Sequence, residues 1–249
     1  MAKPYELDWA RLPLEGAHNV RELGGFPVKG GGQTRYHRFL RADRLCDLTQ
    51  ADCDFLYAYG VRAVIDLRDP SEVERDPDRT LGPDVVCANF RLLELNIADL
   101  EEMERRWQAE RPTFAQFYDM ILASRCNIAR CFRFIAEAPE GCVLFHCMAG
   151  KDRTGILAML LMSLAGCDKW DCVASYMQSR VNMMRDPWYA ADWERQEHLD
   201  RENFSDSPVS AIEHVWDVVA AAGGPVAFLR ECGLTNEEIE AVRARLLES

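Results

Sequence analysis

A thiol, a carboxyl, a guanidinium and a hydroxyl lie close together in His146-Cys147-Met148-Ala149-Gly150-Lys151-Asp152-Arg153-Thr154-Gly155. Cysteine acts as a nucleophile only as the thiolate. A free thiol titrates near about 8.5, but values of roughly 3.5 to 7.5 occur at helix N-termini beside cations. Arg153, six residues after Cys147, can return across the loop. Its planar fork grips two oxygens of one phosphate, which a lysine cannot do. Thr154 offers a hydroxyl that can donate to a departing sulfur. The pattern suits a site that holds a negative sulfur and a phosphoryl group at the same place.

Such a site needs a particular local fold. Cys142-Val143-Leu144-Phe145, flanked by Gly141, reads as a buried strand, and the apolar run from Ile156 to Met162 reads as a buried helix. The reactive residues then occupy the strand-to-helix turn. The first amides of a helix lack internal partners, and its dipole adds about half a positive charge there. Gly150 lets the backbone curl, so the N–H groups of Met148 to Arg153 converge as a nest for phosphate or sulfate.

The run resembles the Cys-x5-Arg signature of the protein tyrosine phosphatase superfamily. In its narrower form it is similar to the bacterial and fungal tyrosine phosphatases of the atypical lipid phosphatase type. Asn19-Val20-Arg21-Glu22-Leu23-Gly24-Gly25 resembles that family's Asn-x-Arg-Asp-Leu-Gly-Gly motif, with Glu22 in place of Asp. Asp66-Leu67-Arg68 followed by Glu72 resembles its Asp-Leu-Arg-x-x-x-Glu motif, and the stretch from Gly223 to Ile239 resembles its closing helices. The resemblance implies a phosphocysteine intermediate on Cys147, with Arg153 and the loop holding phosphate. It also implies a phosphorylated protein or a phosphoinositide as substrate, no metal and no cofactor. Asp152 is the leading general acid, with Asp66 and Asp69 as rivals; alternatively Asp152 pairs with Lys151 or Arg21. Lys151 is either a second cation for a further phosphate or a solvated rim residue. His146, Arg68, Asn19 and Arg21 are expected as supporting residues. Two other classes use an anion nest: a phosphate-binding module without turnover, and a rhodanese-like sulfur transferase or thiol reductase. Intact Cys147 and Arg153 give the first no support, and the second does not need Arg153 followed by Thr154.

The 249 residues are 48% hydrophobic, enough for one α/β domain over 1–249. The expected architecture is a central, mostly parallel sheet flanked by helices. A net charge of −12 argues against nucleic acid and broad adsorption to anionic membranes. No secretory signal stands out, and the longest apolar stretch is too short for a bilayer. The expectation is a cytoplasmic protein, with export by a signal-less route left open; oligomeric state has no signature. Five scattered histidines offer no metal-ligand spacing. The ten cysteines lack a Cys-x-x-Cys pair and read as reduced. A protective Cys142–Cys147 disulfide is conceivable, though a packing role for Cys142 is favoured.

Residues 1–35 are loop-rich. Strands are expected at Tyr36 to Leu40, Arg62 to Leu67 and Asp84 to Leu92. Helices are expected at Gln50 to Tyr59, Asn127 to Ala138, Asp168 to Arg180, Tyr189 to Asp200, Pro208 to Ala222, Pro225 to Cys232 and Thr235 to Leu247. Residues 99–125 carry helices that form either an inserted lid over the pocket or an ordinary sheet cover. Asp186-Pro187-Trp188 reads as a turn. Its order is the reverse of the Trp-Pro-Asp loop of larger tyrosine phosphatases, and it follows the cysteine.

Overall fold

The structure is a computed structural model and describes residues 7–93, 113–197 and 206–247. Five strands form one sheet: β1 (Arg21–Glu22), β2 (Phe39–Ala42), β3 (Val61–Asp66), β4 (Val86–Asn89) and β5 (Cys142–His146), in the order β1-β2-β5-β3-β4. Only the short edge strand β1 runs antiparallel; the pairs β2–β5, β5–β3 and β3–β4 are parallel. The mostly parallel sheet flanked by helices is as the sequence led us to expect. β1 was not expected, because a two-residue strand carries no periodicity.

Alternation along β5 divides the core. Cys142 and Leu144 face one side with Leu40, Val64 and Leu56. Val143 and Phe145 face the other with Phe39, Ile65, Phe132 and Leu157. The first side is covered by α1 (Gln50–Tyr59), with Thr49 in a capping box and left-handed Gly60 at its end. The second carries α4 (Arg125–Glu137) and α5 (Asp152–Ala165), the latter buried along most of its length. α2 (Pro70–Arg75) follows β3, and α3 (Phe114–Leu122) precedes α4. After α5 come α6 (Lys169–Met183), α7 (Pro187–Glu197), α8 (Val209–Ala221), α9 (Pro225–Glu231) and α10 (Asn236–Leu246). No single helix among the described residues is long and apolar enough to cross a membrane.

Two expectations change. Of the 99–125 lid region, 99–112 lies outside the described residues. The remainder, α3, packs against α5 and α8 with Phe114, Tyr118, Ile121 and Leu122 buried, as a core helix does. The Asp186-Pro187-Trp188 triplet starts a helix: Asp186 Oδ1 accepts from the Trp188 amide at 2.9 Å, and Pro187 opens α7.

All ten cysteines are free. Cys142 opens β5 and Cys147 follows its last residue, so about five extended residues, roughly 16 Å, separate them. A disulfide needs Cα atoms within about 7 Å, so this pair cannot close. Cys142 is packing.

Candidate active site

β5 lies between β2 and β3, and its carboxyl end is where the crossovers diverge, the usual ligand position in an open parallel sheet. Residues 147–151 leave this end and turn into α5. The loop is held by its carbonyls. The Leu67 amide donates to His146 O at 2.9 Å, and the Arg44 amide to Met148 O at 3.0 Å. Asn19 Nδ2 donates to Ala149 O at 2.9 Å and Gly150 O at 3.2 Å. The buried Arg41 guanidinium donates to Gly150 O at 2.9 Å and Lys151 O at 3.5 Å. In a trans peptide the C=O and the next N–H point in opposite directions. Tying the carbonyls outward therefore turns the amides of residues 149 to 152 into the bowl. α5 has no side-chain cap, so its first amides remain available to an anion.

Asn19 and Arg21 thus belong to the loop's scaffold. Asn19 is completely buried and its backbone amide donates to Asp43 Oδ1 at 3.0 Å. Arg21 donates to the Asn19 carbonyl at 2.9 Å and also to Asn19 Oδ1, and its other end reaches Ser175 O at 2.7 Å and Ser179 Oγ at 2.9 Å on α6. Burial, and next the neighbouring Arg41, pull Arg21 well below the ordinary arginine value. Burial brings Arg41 down to about 10, opposed in part by its neighbour Cys147. Glu22, where the family motif has Asp, accepts from Tyr59 Oη at 2.5 Å and from the His37 and Gly24 amides.

Cys147 lies at the bottom of the bowl, 2% exposed. Arg153 stands across it. Burial disfavours its charge, but Cys147 and then Glu72 outweigh burial and raise it above the ordinary value. Glu72 meets the guanidinium end-on, from NH1 at 2.5 Å and NH2 at 3.1 Å, which leaves the Nε–H edge for an anion. Glu72 also closes the capping box of α2, accepting from the Asp69 amide at 2.9 Å. The Thr154 hydroxyl is fully buried with no hydrogen-bond partner among the described residues.

The carboxylates separate by role. Asp66 binds one edge of the Arg68 guanidinium with both oxygens, at 3.0 Å to Nε and 2.8 Å to NH2. Asp69 caps α2 and pairs with Arg91 at 3.1 Å. Asp152, the first residue of α5, accepts from Tyr118 Oη at 2.7 Å; its carboxylate is 3.4 Å from Lys151 Nζ. The alternative pairing with Lys151 is therefore present and that with Arg21 is not, since Arg21 is engaged on Asn19 and α6. Lys151 is 1% exposed, not a rim residue: its ammonium donates to Asp206 O at 2.8 Å and lies 5.1 Å from the Phe114 ring. The Lys sits in the interior because α3 and the segment before α8 close over it, which sequence spacing does not reveal.

His146 Nε2 is 2.8 Å from Asp78 Oδ2 and 3.8 Å from Asp66 Oδ1. These three groups lie close enough to hold a metal. The Arg68 guanidinium, however, bonds both carboxylates, at 2.8 Å to Asp66 and 2.8 Å to Asp78, and supplies the positive charge there. The donor set fits an ion-pair cluster behind the loop and not a cation site.

Beside the loop opens a cleft of about 490 Å³, lined by Met148, Arg44, Cys46, Asp47, Arg75, Asp76, Trp188 and Tyr189. Trp188 is exposed and packs edge-on against Tyr189 at 4.7 Å. Arg44 pairs with Asp47 and Asp186, and Arg75 with Asp76. Sequence reasoning missed Arg41, Asp43, Glu72 as a clamp, Asp78, Tyr118, Tyr176 and the Trp188 wall. Glu72 alone had a signal, being the last residue of the Asp-Leu-Arg-x-x-x-Glu run.

Known proteins resemble this chain in sequence over most of its length. A tyrosine-protein phosphatase of Nostoc commune is 32% identical over 221 residues, 84% of this chain and 74% of its own. A Cupriavidus necator relative bearing a tyrosine-protein phosphatase name is 30% identical over 174 residues, 68% of this chain and 62% of its own. The solved structure of P. aeruginosa TpbA superposes at a TM-score of 0.36 and 14% identity, covering 79% of this chain and 87% of that one, a likeness too loose to bear on function. Residues 12–248 match the sequence model described as "Tyrosine phosphatase family", spanning the Asn19 scaffold, the Glu72 clamp and the Cys147 loop together, and the chain belongs to that family.

Proposed function

We propose that the chain hydrolyses phosphotyrosine by two displacements at phosphorus, with Cys147 as the nucleophile. The Cys147 thiolate forms the S–P bond while the P–O bond to the phenol breaks, and Asp152 gives its proton to the departing oxygen. Water then attacks phosphorus, the S–P bond breaks, the Thr154 hydroxyl donates to the leaving thiolate, and Asp152 recovers a proton from the water. The equatorial oxygens are met by the loop amides and the free edge of Arg153, so no metal takes part. The observation that carries this reading is the outward tethering of the loop carbonyls by Asn19, Arg41 and Arg44 around a buried Cys147. Removing one such preorganised donor typically costs about a hundred- to a thousandfold in rate.

The surroundings favour an aryl monophosphate. The cleft offers Trp188 and Tyr189 to a ring, and its two arginines already face carboxylates. A headgroup with several phosphates needs cations beyond Arg153, and the ammonium of Lys151 is engaged in the interior. The decisive experiment uses Cys147→Ser beside wild type. Wild type should release phosphate from a phosphotyrosine peptide in the presence of a chelator, with vanadate inhibiting. Cys147→Ser should bind the peptide without turnover. Turnover by Cys147→Ser sinks the nucleophile assignment, and faster release from phosphoinositide vesicles than from the peptide sinks the substrate assignment.

A further inference from the structure

The Asp152 carboxyl is held from outside the loop. Its Oδ1 accepts from Tyr118 Oη of α3 at 2.7 Å, and Tyr118 Oη is itself 2.7 Å from Tyr176 Oη of α6. Both tyrosines are buried, 0% and 1% exposed, and their rings meet edge-on at 6.3 Å. Tyr118 spends its single proton on the carboxylate, so the proton between the two hydroxyls comes from Tyr176. The result is a directed chain, Tyr176 to Tyr118 to Asp152. It is built closely: a Cβ on Gly155, one turn beyond Asp152 on α5, would stand 3.0 Å from the Tyr176 ring.

We propose that Tyr118, backed by Tyr176, is a positioning residue that holds Asp152 by Oδ1 and leaves Oδ2 to carry the proton delivered to the leaving group. This rests on the reading of Asp152 as general acid. A carboxyl acid has two oxygens and needs to present the protonated one at the scissile P–O bond. Oδ1, already accepting from Tyr118 and lying 3.4 Å from Lys151 Nζ, is the less favourable oxygen for the proton. The charged and titratable groups facing the carboxyl are Lys151 on the loop, Arg153 on α5, Arg41 from β2, Tyr118 from α3 and Tyr176 from α6, with Cys147 acting on the two arginines. Asp206 faces Tyr176 beyond them. Burial first, then Asp152, pushes both tyrosine hydroxyls above their ordinary value, so they stay protonated donors throughout the working pH range.

The test measures kcat/KM for a series of aryl phosphates from p-nitrophenyl phosphate, whose phenol leaves readily, to phenyl phosphate, whose phenol needs a proton. In wild type the rate should depend weakly on the leaving group. Asp152→Asn should make the dependence steep, with phenyl phosphate losing about a hundredfold or more, the scale of general acid catalysis. Tyr118→Phe should give an intermediate slope, with phenyl phosphate losing about tenfold more than p-nitrophenyl phosphate. Tyr176→Phe, which keeps the Tyr118 contact, should move the slope in the same direction by less, and it carries the test should Tyr118→Phe fail to fold. In the double variant Tyr118→Phe with Asp152→Asn, the slope should equal that of Asp152→Asn alone. A flat series for Asp152→Asn overturns the acid assignment. A steep series for Asp152→Asn with an unchanged slope in both tyrosine variants overturns the positioning role and leaves the acid in place. Equal losses on all substrates in the tyrosine variants mark a merely structural role and overturn the proposal.

Discussion

Gly150→Ala tests the amide bowl most directly. Gly150 has φ +65°, and a Cβ built there would lie 2.4 Å from Ala42 O, 2.6 Å from Ala42 C and 2.7 Å from the Asp43 amide nitrogen. All three are backbone atoms at the end of β2, which is hydrogen-bonded along β5 and cannot swing aside as a side chain would. Ordinary contact begins at 3.4 Å, so the loop must retreat from β2 by roughly 1 Å. That retreat also pulls Gly150 O off Asn19 and Arg41, and a misplacement of about 1 Å around a reacting centre costs on the order of a hundredfold. The left-handed backbone adds about 1–2 kcal/mol of strain for a residue with a Cβ. We expect kcat/KM for p-nitrophenyl phosphate to fall about a hundredfold and vanadate binding to weaken in parallel. Gly60→Ala is the control: φ is +110° but nothing lies within 4 Å, so only the backbone strain applies. Its melting temperature should drop by about 2–8 °C, with kcat/KM kept. Wild-type turnover by Gly150→Ala would refute the view that the tethered amides set the rate. Equal loss of activity in Gly60→Ala would show that activity merely follows stability.

Two further outcomes follow from the buried polar groups. Asn19→Ala removes the described partner of Ala149 O and one of two on Gly150 O, leaving a buried carbonyl unmatched at a cost of about 1–3 kcal/mol. Its kcat/KM should fall by more than about tenfold while phosphate protects it less against thermal unfolding, and an unchanged kcat/KM would remove Asn19 from the loop's support. Burial raises Glu22 from 4.5 to about 7 despite its donors. The folded chain therefore holds this proton more tightly than the unfolded one. The stabilisation is complete below the unfolded value near 4.5 and is lost as pH rises through about 7, a change of about 3 kcal/mol. Urea unfolding of Glu22→Gln should be flatter with pH across that window than wild type, and an identical slope would contradict the assignment.

The chemistry was legible in the chain because it is local. Cys147, Gly150, Arg153 and Thr154 lie on one strand-loop-helix unit, and hydrophobic period alone locates that unit between β5 and α5. The caps of α1 and α10 are local in the same way, Thr49 with Asp52 and Thr235 with Glu238, each a contact over three residues. What the tertiary structure decided is which distant groups hold that loop, and by which atoms. Asn19 reaches Ala149 across 130 positions, Arg41 reaches Gly150 across 109 and Glu72 reaches Arg153 across 81. Such pairings have no period and no spacing rule; they exist because the order β1-β2-β5-β3-β4 brings three separate strand ends around one loop. Lys151 makes the same point from the other side. Its neighbours in sequence suggest a solvated rim, but burial is set by what packs above a residue, and here that is α3 and Asp206.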